Sequence, residues 1–223
     1  MSVVIELNAI SKIYNQGKAN EVRALNDVSL KIEEGELCAV CGTSGAGKST
    51  LLNIIGCLDS PDSGEYLLFG DNVEKYSDKK RAALRNKSFG YVLQNYGLIE
   101  SRTLYENVKI PLVFSDTKIK AINGKVIDSL EAVGLKGLEK RRITQLSGGQ
   151  AQRAAIARAL VNSPRILLAD EPTGALDTNT GGDIIEHFKK INELGTTVII
   201  VTHDEKVASK CERIIYIEDG KII

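Results

Sequence analysis

The chain has 223 residues, 43% hydrophobic and 26% charged, enough to bury a substantial core as one domain or two closely joined lobes. Its 29 basic and 29 acidic residues cancel, so there is no global field to draw in nucleic acid or an anionic membrane surface. No apolar run reaches membrane-spanning length, and Met1 to Ile10 lacks the basic start and long apolar stretch of a secretory signal.

Val3, Val4, Ile5, Leu7, Ile10 and Ile13 are mixed with polar residues and predict a strand over Met1 to Ile13. Glu21 to Ile32 adds two shorter alternating runs, and together these form an antiparallel flank. Glu33-Glu34-Gly35 turns into an apolar strand, Leu37 to Val40, and Leu51 to Ile55 reads as the apolar face of a helix. Between them, Gly42-Thr43-Ser44-Gly45-Ala46-Gly47-Lys48-Ser49-Thr50 satisfies the phosphate-loop pattern G-x-x-x-x-G-K-[ST]. Alone it could be a glycine-rich turn, but a strand before it and a helix after it are the context that phosphate binding requires. The three glycines let the backbone curl with its N–H groups inward, and the helix start adds a positive dipole end. Lys48 then reaches the β- and γ-phosphates, and the Ser49 hydroxyl ligates the bridging Mg²⁺.

Ser60 to Gly64 closes the helix, Glu65 to Phe69 returns as a strand, Arg81 to Arg85 is helical and basic, and Phe89 to Leu93 is another buried strand. From Tyr96 to Val161 the pattern is helical: Thr103 to Phe114 interrupted at Pro111, Lys118 to Val133, and Ser147 to Val161. Alternation then resumes. Arg165 to Ala169, Thr197 to Val201 and Ile214 to Glu218 read as strands, with helices over Thr178 to Leu194 and Glu205 to Cys211 between them. Strands alternating with helices imply a parallel sheet with helices on its faces.

Of the four cysteines, Cys38 and Cys41 have the spacing of a metal or redox pair. In an extended strand, however, positions i and i+3 point to opposite faces, so these are expected to be reduced core thiols in a cytosolic chain. Asp170 and Glu171 end an apolar strand, with Pro172 stopping the ladder. Ligands of open α/β sheets bind at such strand ends, so beside a phosphate loop Asp170 can hold Mg²⁺ and Glu171 can activate a water. Ser147 and Gln150, in Leu146-Ser147-Gly148-Gly149-Gln150, form a capping box. The two glycines of that run also expose bare N–H groups at a helix N-terminus, a second anion site.

The phosphate loop, Leu146-Ser147-Gly148-Gly149-Gln150, Asp170-Glu171, Ala175-Leu176-Asp177 and Thr202-His203-Asp204 resemble, in this order, the nucleotide-binding domain of an ABC (ATP-binding cassette) transporter. The resemblance covers essentially the whole chain. It implies an α/β fold, a P-loop NTPase of ABC ATPase type with a mixed sheet, an antiparallel β flank and a helical subdomain. Residues 1–223 form one domain, with 1–95 and 162–223 as the core lobe and 96–161 as the helical signature subdomain. It further implies head-to-tail dimers in which each ATP lies between one subunit's phosphate loop and the other's signature. Ser147 and Gly149 would then donate to the γ-phosphate in trans, and Asp177 would link the two sites. By position Gln94 matches the glutamine that senses Mg²⁺, His203 the switch histidine, and Tyr14 the aromatic that stacks on adenine.

Ala151 stands where the family often has a second glutamine, and with Ile222-Ile223 ending the sequence after Asp219-Gly220-Lys221, no C-terminal regulatory domain is expected. Segments at Gly90 to Gln94, Glu106 to Leu112 and Glu171 to Asp177 resemble the branch of macrolide efflux, lipoprotein release and bacteriocin or peptide export. The resemblance therefore implies an ATPase that binds ATP and Mg²⁺, dimerises with itself and drives a separate transmembrane permease from the inner face of the cell membrane, with no nucleic-acid partner. A cassette that controls a membrane protein by mechanotransmission, for cell-division or cell-wall enzymes, would have the same sequence features. Nucleic-acid or repair ATPases of this fold carry tandem cassettes, coiled coils or zinc modules, and none is seen here.

Overall fold

The computed structural model describes residues 2–223. Strands β1 (Val3–Tyr14) and β2 (Val22–Glu33) pair antiparallel. The two short runs expected over Glu21 to Ile32 are one twelve-residue strand. Its register against β1 slips between Leu7 and Ile10 and again between Ile10 and Lys12, and Ala9 and Asp27 take positive φ. Bulges of this kind keep a strand continuous while breaking its alternation, which is why the sequence reads as two pieces.

The chain continues through β3 (Leu37–Cys41), α1 (Lys48–Ile55), β4 (Ser63–Leu68), β5 (Asp71–Asn72), α2 (Asp78–Ser88) and β6 (Phe89–Val92). Three helices follow, α3 (Leu104–Val113), α4 (Ile119–Ala132) and α5 (Gly148–Leu160). The remainder is β7 (Ile166–Asp170), α6 (Thr178–Glu193), β8 (Thr197–Thr202), α7 (Glu205–Ala208), β9 (Arg213–Glu218) and β10 (Lys221–Ile222). Two sheets result. The flank has the order β2-β1-β4-β5 and is antiparallel, and the central sheet has the order β10-β9-β3-β8-β7-β6. All its neighbours are parallel except the β9–β10 hairpin.

The central strands are apolar at every position because both faces are covered. Cys38, Val40, Ile166, Leu168, Ile199 and Val201 face a core shared with α1 and the flank. Leu37, Leu167, Ala169, Val198 and Ile200 face the opposite core, with α3, α4, α5 and α6. The period-two division also separates Cys38 from Cys41, which packs with Ala39 and Ala208 instead. All four cysteines are free thiols, as expected.

Two helix expectations are corrected. Helix α3 runs through Pro111 without interruption. The residue lies in the last turn, so only the bond to Asn107 is forfeited there, and the Pro111 carbonyl accepts instead from the Asn86 and Asn162 side-chain amides. Helix α7 is a single turn, not a helix to Cys211, because Lys210 and Cys211 close tighter bonds to Val207 and Ala208.

Helix α6 carries Gly181 and Gly182 in its first two turns. A Cβ at Gly182 would meet no atom within 4 Å, and its φ is an ordinary one. Gly182→Ala is therefore expected to stabilise the fold by about 0.5–1 kcal/mol, seen as a raised denaturation midpoint with an unchanged slope.

Candidate active site

Strands β3, β8 and β7 are adjacent, with Cys41 opposite Thr202 and Asp170 opposite Val201. The phosphate loop, Asp170-Glu171 and Thr202-His203 are thereby delivered to one edge, the carboxyl ends of parallel strands.

The loop is held tightly against its surroundings. A Cβ on Gly42 would strike the Ile217 carbonyl, and one on Gly47, at φ 104°, would strike the Ala24 carbonyl. Only glycine serves at these positions. Lys48 is 8% exposed, and its ammonium donates to the carbonyls of Gly42 and Thr43, both at 2.8 Å. With these carbonyls turned onto the lysine, the first turn of α1 has neither a side-chain cap nor an acidic residue. Its positive end is left for an anion.

A cavity of about 510 Å³ opens there. Ser44, Gly45, Gly47, Lys48, Ser49 and Thr50 line it together with Gln94, Asp170, Glu171 and His203. Val22 and Ala24 also line it, and the sequence carries no signal for them, since the flank brings them to the loop only on folding. Gly42, Thr43 and Ala46 of the loop do not line it. Tyr14 is outside this lining, next to it through its register pairing with Val22.

Asp170 Oδ1 lies 3.4 Å from the Ser49 hydroxyl, which donates to it. Burial is the largest influence on Asp170 and raises its pKa, and repulsion from Glu171 adds to this against the Ser49 bond and the charge of Lys48. Among the described residues no group of three or more His, Cys, Asp or Glu side chains could hold a metal alone. One hydroxyl and one carboxylate, with a side-chain amide at Gln94, are a hard-oxygen set suited to Mg²⁺ that takes its other ligands from phosphate and water.

Because the folded state raises the pKa of Asp170, it binds that proton more readily than the unfolded chain does. The resulting penalty is absent below the ordinary aspartate value and develops as pH rises through the raised one. Asp170→Asn is expected to raise Tm at neutral pH, with the difference vanishing in acid, and to remove turnover. Calorimetry across pH, with and without an activity assay, checks both.

Glu171 sits at φ 46°, a left-handed conformation uncommon for a non-glycine residue, held by its N–H bond to the Val201 carbonyl. Its Oε1 lies 2.7 Å from His203 Nδ1. A carboxylate only accepts, so Nδ1 carries the proton and Nε2 remains for another partner. The fully buried Thr202 donates its hydroxyl to Glu171 Oε2 at 3.4 Å while accepting from the Asp204 N–H at 3.0 Å. The Glu171 carboxylate is thus fixed from both oxygens.

Leu146 to Gln150 and Asp177 do not line this cavity. The expected capping box is present: Gln150 N–H donates to Ser147 Oγ at 3.2 Å, and Ser147 N–H donates to Gln150 Oε1 at 3.0 Å. Asp177 caps α6, accepting from the Asn179 and Thr180 N–H groups and from the Thr180 hydroxyl at 2.6 Å. That hydroxyl bond chiefly holds its carboxyl below the usual aspartate range. The two capped ends are close: a Cβ on Gly149 would come within 2.6 Å of Thr180 Cγ2.

Residues 25–174 match the ABC transporter family model. The macrolide export ATP-binding/permease protein MacB of Hyphomonas neptunium is 46% identical over 220 residues, covering 99% of this chain and 34% of the relative. The chain therefore spans about a third of the length of that relative. The ABC transporter ATP-binding protein YvrO of Bacillus subtilis is also 46% identical, with 99% of this chain and 96% of the relative covered. Among solved structures, a dimeric form of the bacterial ABC transporter cassette MJ0796 superposes with a TM-score of 0.89 at 43% identity, covering 98% of this chain and 96% of that one. A second MJ0796 structure, a dimeric post-hydrolysis state bound to ADP and Pi, gives the same TM-score at 42% identity over the same shares. On family match, identity and fold, the chain belongs to the ABC transporter family as one of its ATP-binding cassettes, the family's ATPase module.

Proposed function

We propose that this chain is the ATP-hydrolysing subunit of an exporter, that it binds Mg-ATP between two copies arranged head to tail, and that it drives a separate membrane permease. One observation carries the reading. The cavity holds the phosphate loop and the acidic strand end but not Leu146 to Gln150, so a chain with two anion-binding helix ends uses only one of them in its own cavity. A second copy supplies the other, and the dimeric MJ0796 cassette gives a precedent for the assembly.

In this reading the loop N–H groups and Lys48 bind the triphosphate, and Tyr14 stacks on the adenine. Ser49, Asp170 and Gln94 hold Mg²⁺, which would neutralise phosphate charge. Glu171 orients a water and takes its proton, and His203 keeps that carboxylate in place and reaches the γ-phosphate. Ser147 and Gly149 close the site in trans, and Asp177 links the two sites. Residues 96–161 form the signature subdomain within a single cassette of 1–223. The permease docks beside Gln94, where a largely apolar cleft of about 650 Å³ opens between α2, β6, α3 and α5. Phe114, 77% exposed, stands at its edge.

Among the described residues no helix is long and apolar enough to cross a membrane, which suits a subunit held peripherally at the inner face by its permease. The relatives MacB and PvdT, named for macrolide and pyoverdine export and for joint ATP-binding and permease functions, support an export role, and the cargo in this reading is of peptide, antibiotic or lipoprotein type. The test is recovery of Glu171→Gln with Mg-ATP from native membranes. An integral membrane protein is expected with it, and recovery of soluble proteins alone would remove the transporter and leave the ATPase.

A further inference from the structure

Tyr14 does not stand free beside the cavity. Its hydroxyl donates to Asp59 Oδ2 at 2.8 Å, across 45 residues of sequence. The other oxygen, Asp59 Oδ1, accepts from Lys12 Nζ at 2.8 Å and from the Ser60 N–H at 2.7 Å. Lys12 donates a second bond to the Ser60 carbonyl at 2.7 Å and lies 3.8 Å from Asp62. Asp62 in turn accepts from the Ile13 N–H at 2.6 Å. The Lys12 ammonium is also 5.3 Å from the centroid of the Tyr14 ring, within cation–π range.

This is more organisation than an ordinary surface tyrosine requires. A partly exposed phenol obtains its hydrogen bonds from water at no cost, yet here it is anchored to a carboxylate that an ammonium 12% exposed holds in turn. Burial opposes charge on Asp59, but the bonds from Lys12, Tyr14 and the Ser60 N–H outweigh it and keep the carboxyl below the usual aspartate range. The network ties the end of β1 to the turn that follows α1. The ring is thereby fixed beside Val22 before any ligand arrives.

We propose that Asp59 and Lys12 are positioning residues that hold the Tyr14 ring as a preformed platform for the nucleotide base. The inference rests on the reading above in which Tyr14 stacks on adenine. A ring already locked in its binding rotamer loses no rotational freedom on stacking, so the anchor contributes to the affinity for the base and not to that for the phosphates.

The test is titration calorimetry with Mg²⁺ on the full chain, comparing ATP with inorganic tripolyphosphate, which has no base. Tyr14→Phe keeps the ring and deletes only the anchor, while Asp59→Ala removes the acceptor from the other side. Each is expected to weaken ATP binding about 3- to 10-fold and to leave tripolyphosphate unchanged. The double variant should lose little beyond either single one, because both remove one interaction. In turnover, Asp59→Ala should raise KM and retain kcat. Unchanged ATP affinity in both variants, or equal losses for ATP and tripolyphosphate, overturns the proposal. If Asp59→Ala does not fold, Tyr14→Phe decides alone, since the Asp59 and Lys12 pair stays intact. Tyr14→Ala separates the two levels. If it weakens ATP binding while the other variants do not, only the anchor is wrong, and if it too has no effect, the stacking itself is wrong.

Discussion

Glu171→Gln is expected to lower kcat by about 10²- to 10⁴-fold while ATP affinity stays within about 3-fold of the parent. The amide oxygen can still accept from Thr202 or His203, so the strand end and its left-handed backbone keep their anchors. What disappears is the ability to take a proton from water. Because binding persists without turnover, the ATP-bound dimer should accumulate, visible as an ATP-dependent shift in sedimentation that the parent chain shows only transiently. Normal steady-state hydrolysis by this variant would remove Glu171 from the role of base.

The second large effect is expected at a residue outside the cavity. Ser147→Arg places a guanidinium at the helix end opposed by its dipole and removes the Ser147 cap, at about 1 kcal/mol of stability. Turnover should fall at least about 100-fold, because donors aimed at developing phosphate charge are lost and a bulky side chain takes their place. ATP affinity of the unassociated chain should be unchanged, since Ser147 does not line its cavity. Ser147→Thr retains a capping hydroxyl and controls for the stability term. A loss of ATP binding by the isolated chain equal to the loss of turnover would place Ser147 in the same site as Lys48.

The sheet was legible because strands covered on both faces leave continuous apolar runs. Leu37 to Val40, Arg165 to Ala169 and Thr197 to Val201 were read to within a residue or two. What was misread depended on contacts across the chain: the bulges that join β2 into one strand, and the Asn86 and Asn162 amides that receive the Pro111 carbonyl. The same division runs through the site. Lys48, Ser49 and Asp170 follow from local spacing and a strand end. That Glu171 and His203 touch is a matter of strand order, since β7 and β8 are neighbours while their residues lie 32 apart in sequence. Val22 and Ala24 had no signal at all, and the Lys12, Tyr14 and Asp59 network joins residues whose separate neighbourhoods look like ordinary surface. The capping box at Ser147 was visible from four residues; what those residues close on lies outside the single chain.

The central claim is that each nucleotide site is built from two copies of this chain, and mixing two inactive variants tests it most directly. Lys48→Ala disables the phosphate loop and Ser147→Arg the signature, so each alone should be inert. In a mixed dimer one of the two sites pairs an intact loop with an intact signature, so equal mixing should restore about a quarter of the parent's sites and a matching share of ATP turnover. A mixture as inactive as its components would contradict the account and place loop and signature in separate functions.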